Sequence, residues 1–121
     1  MNYKIIVKNN RKYIEFSSSE MLLSTEREAL DIIAACMENS TNLLIIHDKA
    51  LSEDFFNLRT GLAGTVLQKF VNYNIKSALI ITCEEKITGR FREMIFEANK
   101  GNDFRAFKSI DKAEEWIINL K

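Results

Sequence analysis

Apolar residues recur along this chain with two different periods. Over residues 3–8 and 12–16 they alternate loosely with polar ones and include several β-branched side chains, the two-residue period of a half-buried strand. Asn9-Asn10 between them can turn with positive φ, so the spacing predicts a β-hairpin. A polar loop at residues 17–20 and a short apolar patch at 21–23 follow, and then the period lengthens. Ala29, Ile32, Ile33 and Cys36 fall at helical spacing behind Ser24-Thr25. Thr25 with Glu28 fits a capping box, in which each side chain satisfies a free backbone N–H of the other residue. Asn39-Ser40 ends the helix, because asparagine tolerates the left-handed cap. Residues 42–48 hold the unbroken run Leu43-Leu44-Ile45-Ile46. It is too short for an independent helix and suits a strand buried on both faces.

Ser52 is placed to cap a short turn, with Glu53 and Asp54 favourable near its N-terminus. Residues 55–73 then carry the most prominent helical signal, an apolar stripe at Leu62, Val66, Phe70 and Tyr73. Gly61 and Gly64 share one face of that predicted helix. Each glycine costs a helix interior about 1 kcal/mol relative to alanine, and close approach to a neighbouring backbone or partner would justify them. The helix ends over 72–74, and residues 75–83 predict a second buried strand. Residues 84–87 read as a solvated charged loop. Thr88 caps a third helix with Phe91, Met94, Ile95 and Ala98 on one face, and Gly101 stops it just after Lys100. Residues 103–108 form a short, more polar strand near a sheet edge. Ser109 or Asp111 caps the last helix, Asp111 with Glu114 offers another capping box, and Ala113, Trp116, Ile117 and Leu120 give the inner face. One hairpin and three helical crossovers predict a single α/β domain over residues 1–121. Its sheet is mixed and mostly parallel, about five strands covered by about four helices.

Composition narrows the function classes. The 121 residues carry 17 Lys+Arg and 17 Asp+Glu, a formal net charge of zero. That argues against a nonspecific nucleic-acid binder, which needs a basic excess. It also removes a barrier to self-association, so a homodimer is open. No apolar run is long enough to predict a membrane span. The first residues enter strand-like sequence with no signal-peptide pattern, so the expected compartment is the cytoplasm. Cys36 and Cys83 lie far apart among apolar neighbours and read as reduced, buried, small hydrophobes.

Candidate chemistry gathers at two places. A helix start near Arg59-Thr60 offers free N–H groups to an anion. Arg59 adds a bidentate donor for phosphate or carboxylate, and Thr60 could itself carry a phosphate. The bland alternative is that Thr60 bonds nearby backbone and Arg59 pairs with Glu53 or Asp54. His47-Asp48 closes the first buried strand, the end at which sites in parallel α/β sheets usually lie. His47 is the only histidine, no paired His or Cys spacing follows, and a structural role is the simpler reading. Lys86, Arg90 and Arg92 read as a solvated face. The glycine pair lacks the Lys-Ser/Thr ending of a phosphate-binding loop. The residues therefore predict no catalytic constellation, no metal site and no cofactor.

The order of elements, with Arg59-Thr60-Gly61-Leu62-Ala63-Gly64 at the helix after the third strand, resembles the STAS domains of sulfate transporters and anti-sigma-factor antagonists. Residues 50–64 with 67–73 resemble more closely a small bacterial family catalogued as domain of unknown function 4180, and that likeness spans the whole chain. The first resemblance implies a STAS-like fold. In the antagonists the serine at the helix start is phosphorylated by a partner kinase, which breaks the complex with the anti-sigma factor; the matching position here is Thr60. Leu58 stands where an acidic residue is common, and Arg59 where a small one is usual. The expectation is a non-enzymatic regulatory or protein-interaction domain whose surface comprises Asn57, Arg59, Thr60 and Gly61, with His47 and Asp48 beside it and an unidentified protein as partner. The alternative is a small-molecule or anion-binding domain using the same helix start and Arg59. A small enzyme built on His47 and Asp48 ranks third.

Overall fold

Two asparagines open the fold. Asn9 and Asn10 hold φ of 52° and 62°, the paired left-handed conformation of a two-residue hairpin loop. They join β1 (Lys4–Lys8) to β2 (Arg11–Phe16) in antiparallel register, Ile6 opposite Tyr13. The computed structural model describes residues 3–17 and 22–120. Much of the predicted polar loop and the start of the apolar patch, residues 18–21, lie outside the described residues, as do 1 and 2.

From β2 onward every pairing is parallel. Strands β3 (Leu43–His47), β4 (Lys76–Ile80) and β5 (Phe104–Phe107) complete a sheet of order β1-β2-β3-β4-β5. The connections are α1 (Glu26–Glu38), then the segment carrying α2 (Glu53–Phe56) and α3 (Leu62–Asn72), then α4 (Gly89–Ala98). Helix α5 (Ile110–Ile118) closes the described chain. The architecture is thus α/β, a hairpin followed by alternating helices and strands on a mixed five-stranded sheet.

Strand side chains alternate between two layers. Ile14, Phe16, Leu44, Ile46, Leu79 and Ile81 meet α1, α2, α3 and α4 on one face. Tyr13, Leu43, Ile45, Ala78 and Ile80 meet Ala113 and Ile117 of α5 on the other. That is why residues 43–46 are apolar without interruption: both faces of β3 are covered.

Several local expectations are revised. Residues 55–73 are not one helix. The Asn57 carboxamide accepts the Arg59 N–H at 3.1 Å, offering the backbone a local alternative to the helix. Asn57 itself is extended, and a 3-10 turn, Leu58–Thr60, follows. Gly61 sits at φ 76° as the cap before α3, not on a helix face. No atom would approach a Cβ at Gly61 or Gly64 within 4 Å, so close approach does not explain either glycine. Positive φ explains Gly61; nothing in the structure explains Gly64. Tyr73 caps α3 and is exposed instead of joining the stripe.

At the end of α1 the left-handed residue is Ser40, φ 55°, while Asn39 uses its side-chain amide to donate to the Ala35 carbonyl. At the start of α1, Glu28 does accept the Thr25 N–H, at 3.0 Å. Helix α4 ends at Ala98, ahead of Gly101, which has no positive φ. Of the two proposed caps on α5 it is Ser109 that accepts, from Lys112 N–H, whereas Glu114 turns away from any box toward Lys8 and Tyr13. Ser52 and Thr88 hold N-cap positions without side-chain capping bonds.

Candidate functional site

The C-terminal ends of the parallel strands carry His47 and Asp48, and both are engaged. Imidazole Nε2 of His47 lies 2.7 Å from Glu15 Oε2. The two belong to neighbouring strands whose register sets Glu15 beside Ile45, with His47 two residues further on the same face. Glu15 was not singled out from sequence. Its period-2 spacing from Tyr13 marks the face it shares, but nothing local encodes which residue of a parallel neighbour it meets.

Asp48 Oδ2 accepts the Thr82 N–H at 2.8 Å, the Thr82 hydroxyl at 3.0 Å and the Cys83 N–H at 3.4 Å. Burial works against its charge, but these donors and the Lys49 N–H outweigh burial and hold the carboxyl below its ordinary range. Asp48 therefore ties the chain leaving β3 to the chain leaving β4. Cys83, expected to be buried, is half-exposed in this loop, while Cys36 is fully buried. Burial pushes the Cys36 thiol up to about 12 and leaves it unreactive.

Thr60 is exposed and bonded to nearby backbone: its hydroxyl donates toward the carbonyls of Asp54 at 2.7 Å and Asn57 at 2.9 Å, and accepts the Leu62 N–H at 3.2 Å. Arg59 is different. Neither expected acid holds it, since Glu53 pairs instead with Lys86 at 2.6 Å. Among the described residues Arg59 has no ion-pair partner.

Arg59 instead borders a cavity of about 410 Å³ shared with the start of α4. Its walls are Phe56, Asn57, Leu58 and Arg59 on one side and Thr88, Gly89, Arg90 and Phe91 on the other. The rings of Phe56 and Phe91 meet edge to face with centroids 5.2 Å apart, which fixes the two walls together. Lys86 Nζ covers Phe56 at 4.9 Å from its centroid. Among the described residues Arg90, like Arg59, has no ion-pair partner, and no acidic side chain lines the cavity. The first helical bond of α4 runs from Arg92 N–H to Thr88 O. The N–H groups of Gly89, Arg90 and Phe91 therefore precede the helical ladder, and Thr88 leaves them uncapped.

The structure thus brings Asn57 and Arg59 together with Arg90, one of the three basic residues that the sequence reads as a solvated face. Thr60, Gly61, His47 and Asp48 do not line this cavity. What joins Arg59 to Arg90 is packing of two aromatic rings between segments thirty residues apart, for which the only local signal is the pattern Phe56-x-x-Arg59 and Arg90-Phe91. Among the described residues no group of three His, Cys, Asp or Glu side chains could hold a metal ion, and no helix is long and apolar enough to cross a membrane.

A family model described as Domain of unknown function (DUF4180) matches residues 8–117. No curated protein and no solved structure matches the chain.

Proposed function

The chain belongs to the family described as Domain of unknown function (DUF4180), and for it we propose a non-enzymatic regulatory role in which a protein partner docks an anionic group between Arg59 and Arg90. One observation carries this reading: among the described residues, two arginines without acidic partners border one cavity that no carboxylate lines. Arginine left without an acid retains its fork of donors for an incoming phosphate or carboxylate. The uncapped first turn of α4 adds partial positive charge on the same side. A STAS-like reading of the fold draws support from the leading hairpin, the sheet order β1-β2-β3-β4-β5 and the place of Arg59-Thr60-Gly61 before α3. A non-enzymatic role draws support from the engagement of the ionisable groups at the strand ends, His47 by Glu15 and Asp48 by backbone.

The cavity volume favours a second reading, a free small anion as ligand, because about 410 Å³ falls within the range of small-molecule pockets. Thermal shift with inorganic phosphate, nucleotides and carboxylic acids separates the two. A ligand present at a hundredfold over its Kd stabilises the native state by about 2.7 kcal/mol, a shift of several degrees that Arg59→Ala should remove. A flat panel, combined with capture of a protein partner that Arg59→Ala and Arg90→Ala abolish, supports the partner reading. Capture that survives both substitutions, together with a flat panel, would refute the groove as a binding site.

A further inference from the structure

Among the described residues, one edge of the sheet is open and chemically two-sided. In a hairpin closed by two residues, the pair flanking the loop exchanges both backbone bonds, and bonded and non-bonded pairs then alternate. Counting from Lys8 opposite Arg11, it is Lys8, Ile6 and Lys4 that bond β2. The N–H and C=O groups of Ile5 and Val7 therefore point away from the sheet. These two residues also carry exposed apolar side chains, Ile5 at 50% and Val7 at 65%. They lie on the face that α1, α3 and α4 cover elsewhere. On the other face the same strand presents Lys4 and Lys8. The opposite edge of the sheet is partly closed, since the Ala106 N–H of β5 donates to the Asn99 side chain at 2.8 Å.

We propose that β1 is a docking edge for an extended segment of a partner protein in which apolar residues alternate with acidic ones. Backbone pairing to Ile5 and Val7 would add a strand to the sheet. Apolar residues of the incoming segment would cover Ile5 and Val7, and its alternate carboxylates would face the lysines. Lys8 is held by Glu114, whereas Lys4 has no ion-pair partner among the described residues, and its cross-strand neighbour Glu15 is engaged by His47. The lysines also disfavour a second copy of this chain in the register centred on Ile6. Antiparallel pairing of two β1 strands about Ile6 sets Lys4 of one copy against Lys8 of the other, and like charges directly opposite destabilise a pair. Edge lysines are a common guard against such self-association. This surface shares no residue with the Arg59–Arg90 cavity and does not depend on that reading.

The test titrates the whole chain with a short capped peptide alternating valine and glutamate, followed by amide NMR. Shifts centred on residues 5–7 are expected, with the lysine-for-glutamate peptide binding about tenfold more weakly. Methylating the pairing amides of the peptide should abolish binding without touching the protein, which separates strand addition from any folding defect of a variant. Val7→Lys should also abolish it, and Lys4→Gln should narrow the difference between the two peptides. Saturating inorganic phosphate should leave the titration unchanged. Equal affinity for both peptides, absence of binding, shifts centred elsewhere, competition by phosphate, or a free chain already dimeric through β1 would each overturn the proposal.

Discussion

Asp48 spends its charge on backbone rather than on solvent or ligand. The donors that lower its pKa act only in the folded chain, so the carboxylate stabilises the fold by linkage. The sign follows from the direction: the folded value lies below the ordinary 3.8. That stabilisation is complete above the ordinary range, begins to fade as pH falls through it, and is gone below the lowered folded value. Asp48→Asn should therefore cost about 1–3 kcal/mol at neutral pH, and the loss should shrink as the solution is acidified through about pH 4. Urea midpoints of both proteins at pH 7 and in the acid limb measure this; a difference that does not depend on pH would show that the charge is not what matters. The two glycines make a second residue-scale comparison. Gly61→Ala forces a Cβ onto φ 76° and should destabilise by about 1–2 kcal/mol. Gly64→Ala meets open space inside α3 and should stabilise by up to about 1 kcal/mol. Thermal melts of the two variants should move in opposite directions.

At the scale of elements, the hairpin, the two buried strands and the helical faces were legible because each is written in a local period or a local turn. Asn9-Asn10 needs only its own φ preference, and Leu43–Ile46 only its apolar run. The segment between β3 and β4 was not legible as it is. Its helical spacing is real over residues 62–70, but the Asn57 side chain bonds its own backbone and divides the run, a choice that periodicity does not record. The candidate site was half legible for a related reason. Arg59 was visible at a helix start, while its companion Arg90 comes from the next crossover and is set beside it by Phe56 against Phe91. Glu114 shows the same limit. It fitted a capping box by spacing, yet in three dimensions it binds Lys8 Nζ and, at 2.7 Å, the Tyr13 hydroxyl, clamping α5 to the hairpin. Lys8 first, and then Tyr13, hold its pKa down. Glu114→Ala should cost about 1–3 kcal/mol, largely because the Tyr13 hydroxyl loses its acceptor. Adding Tyr13→Phe should then recover part of the loss, a non-additivity that a double-mutant cycle reads directly. Strict additivity would remove the clamp from the account.

For the molecule as a whole, the question is whether the two layers can part. Among the described residues helix α5 alone covers its face of the sheet, and at nine residues it is too short to persist in water by itself. Its departure would uncover Leu43, Ile45 and Ile80, all nearly fully buried. At about 1.5–3 kcal/mol for each such side chain, that exposure rivals the 5–15 kcal/mol by which a whole domain is stable. The strands cannot remain behind either, because the backbone that presents Ile45 to α5 presents Leu44 and Ile46 to the other layer. Loss of one layer should therefore undo the other. Trp116 is the chain's single tryptophan, and it sits in the α5 layer with its ring 5.7 Å from Phe107 and under Arg105. Its fluorescence reports that layer, while far-UV circular dichroism is dominated by α1, α3 and α4 across the sheet. Urea unfolding followed by both signals should give one coincident transition. A fluorescence change that precedes the loss of helicity would mean that α5 detaches from a sheet stable without it, and that the shared strands do not couple the two faces.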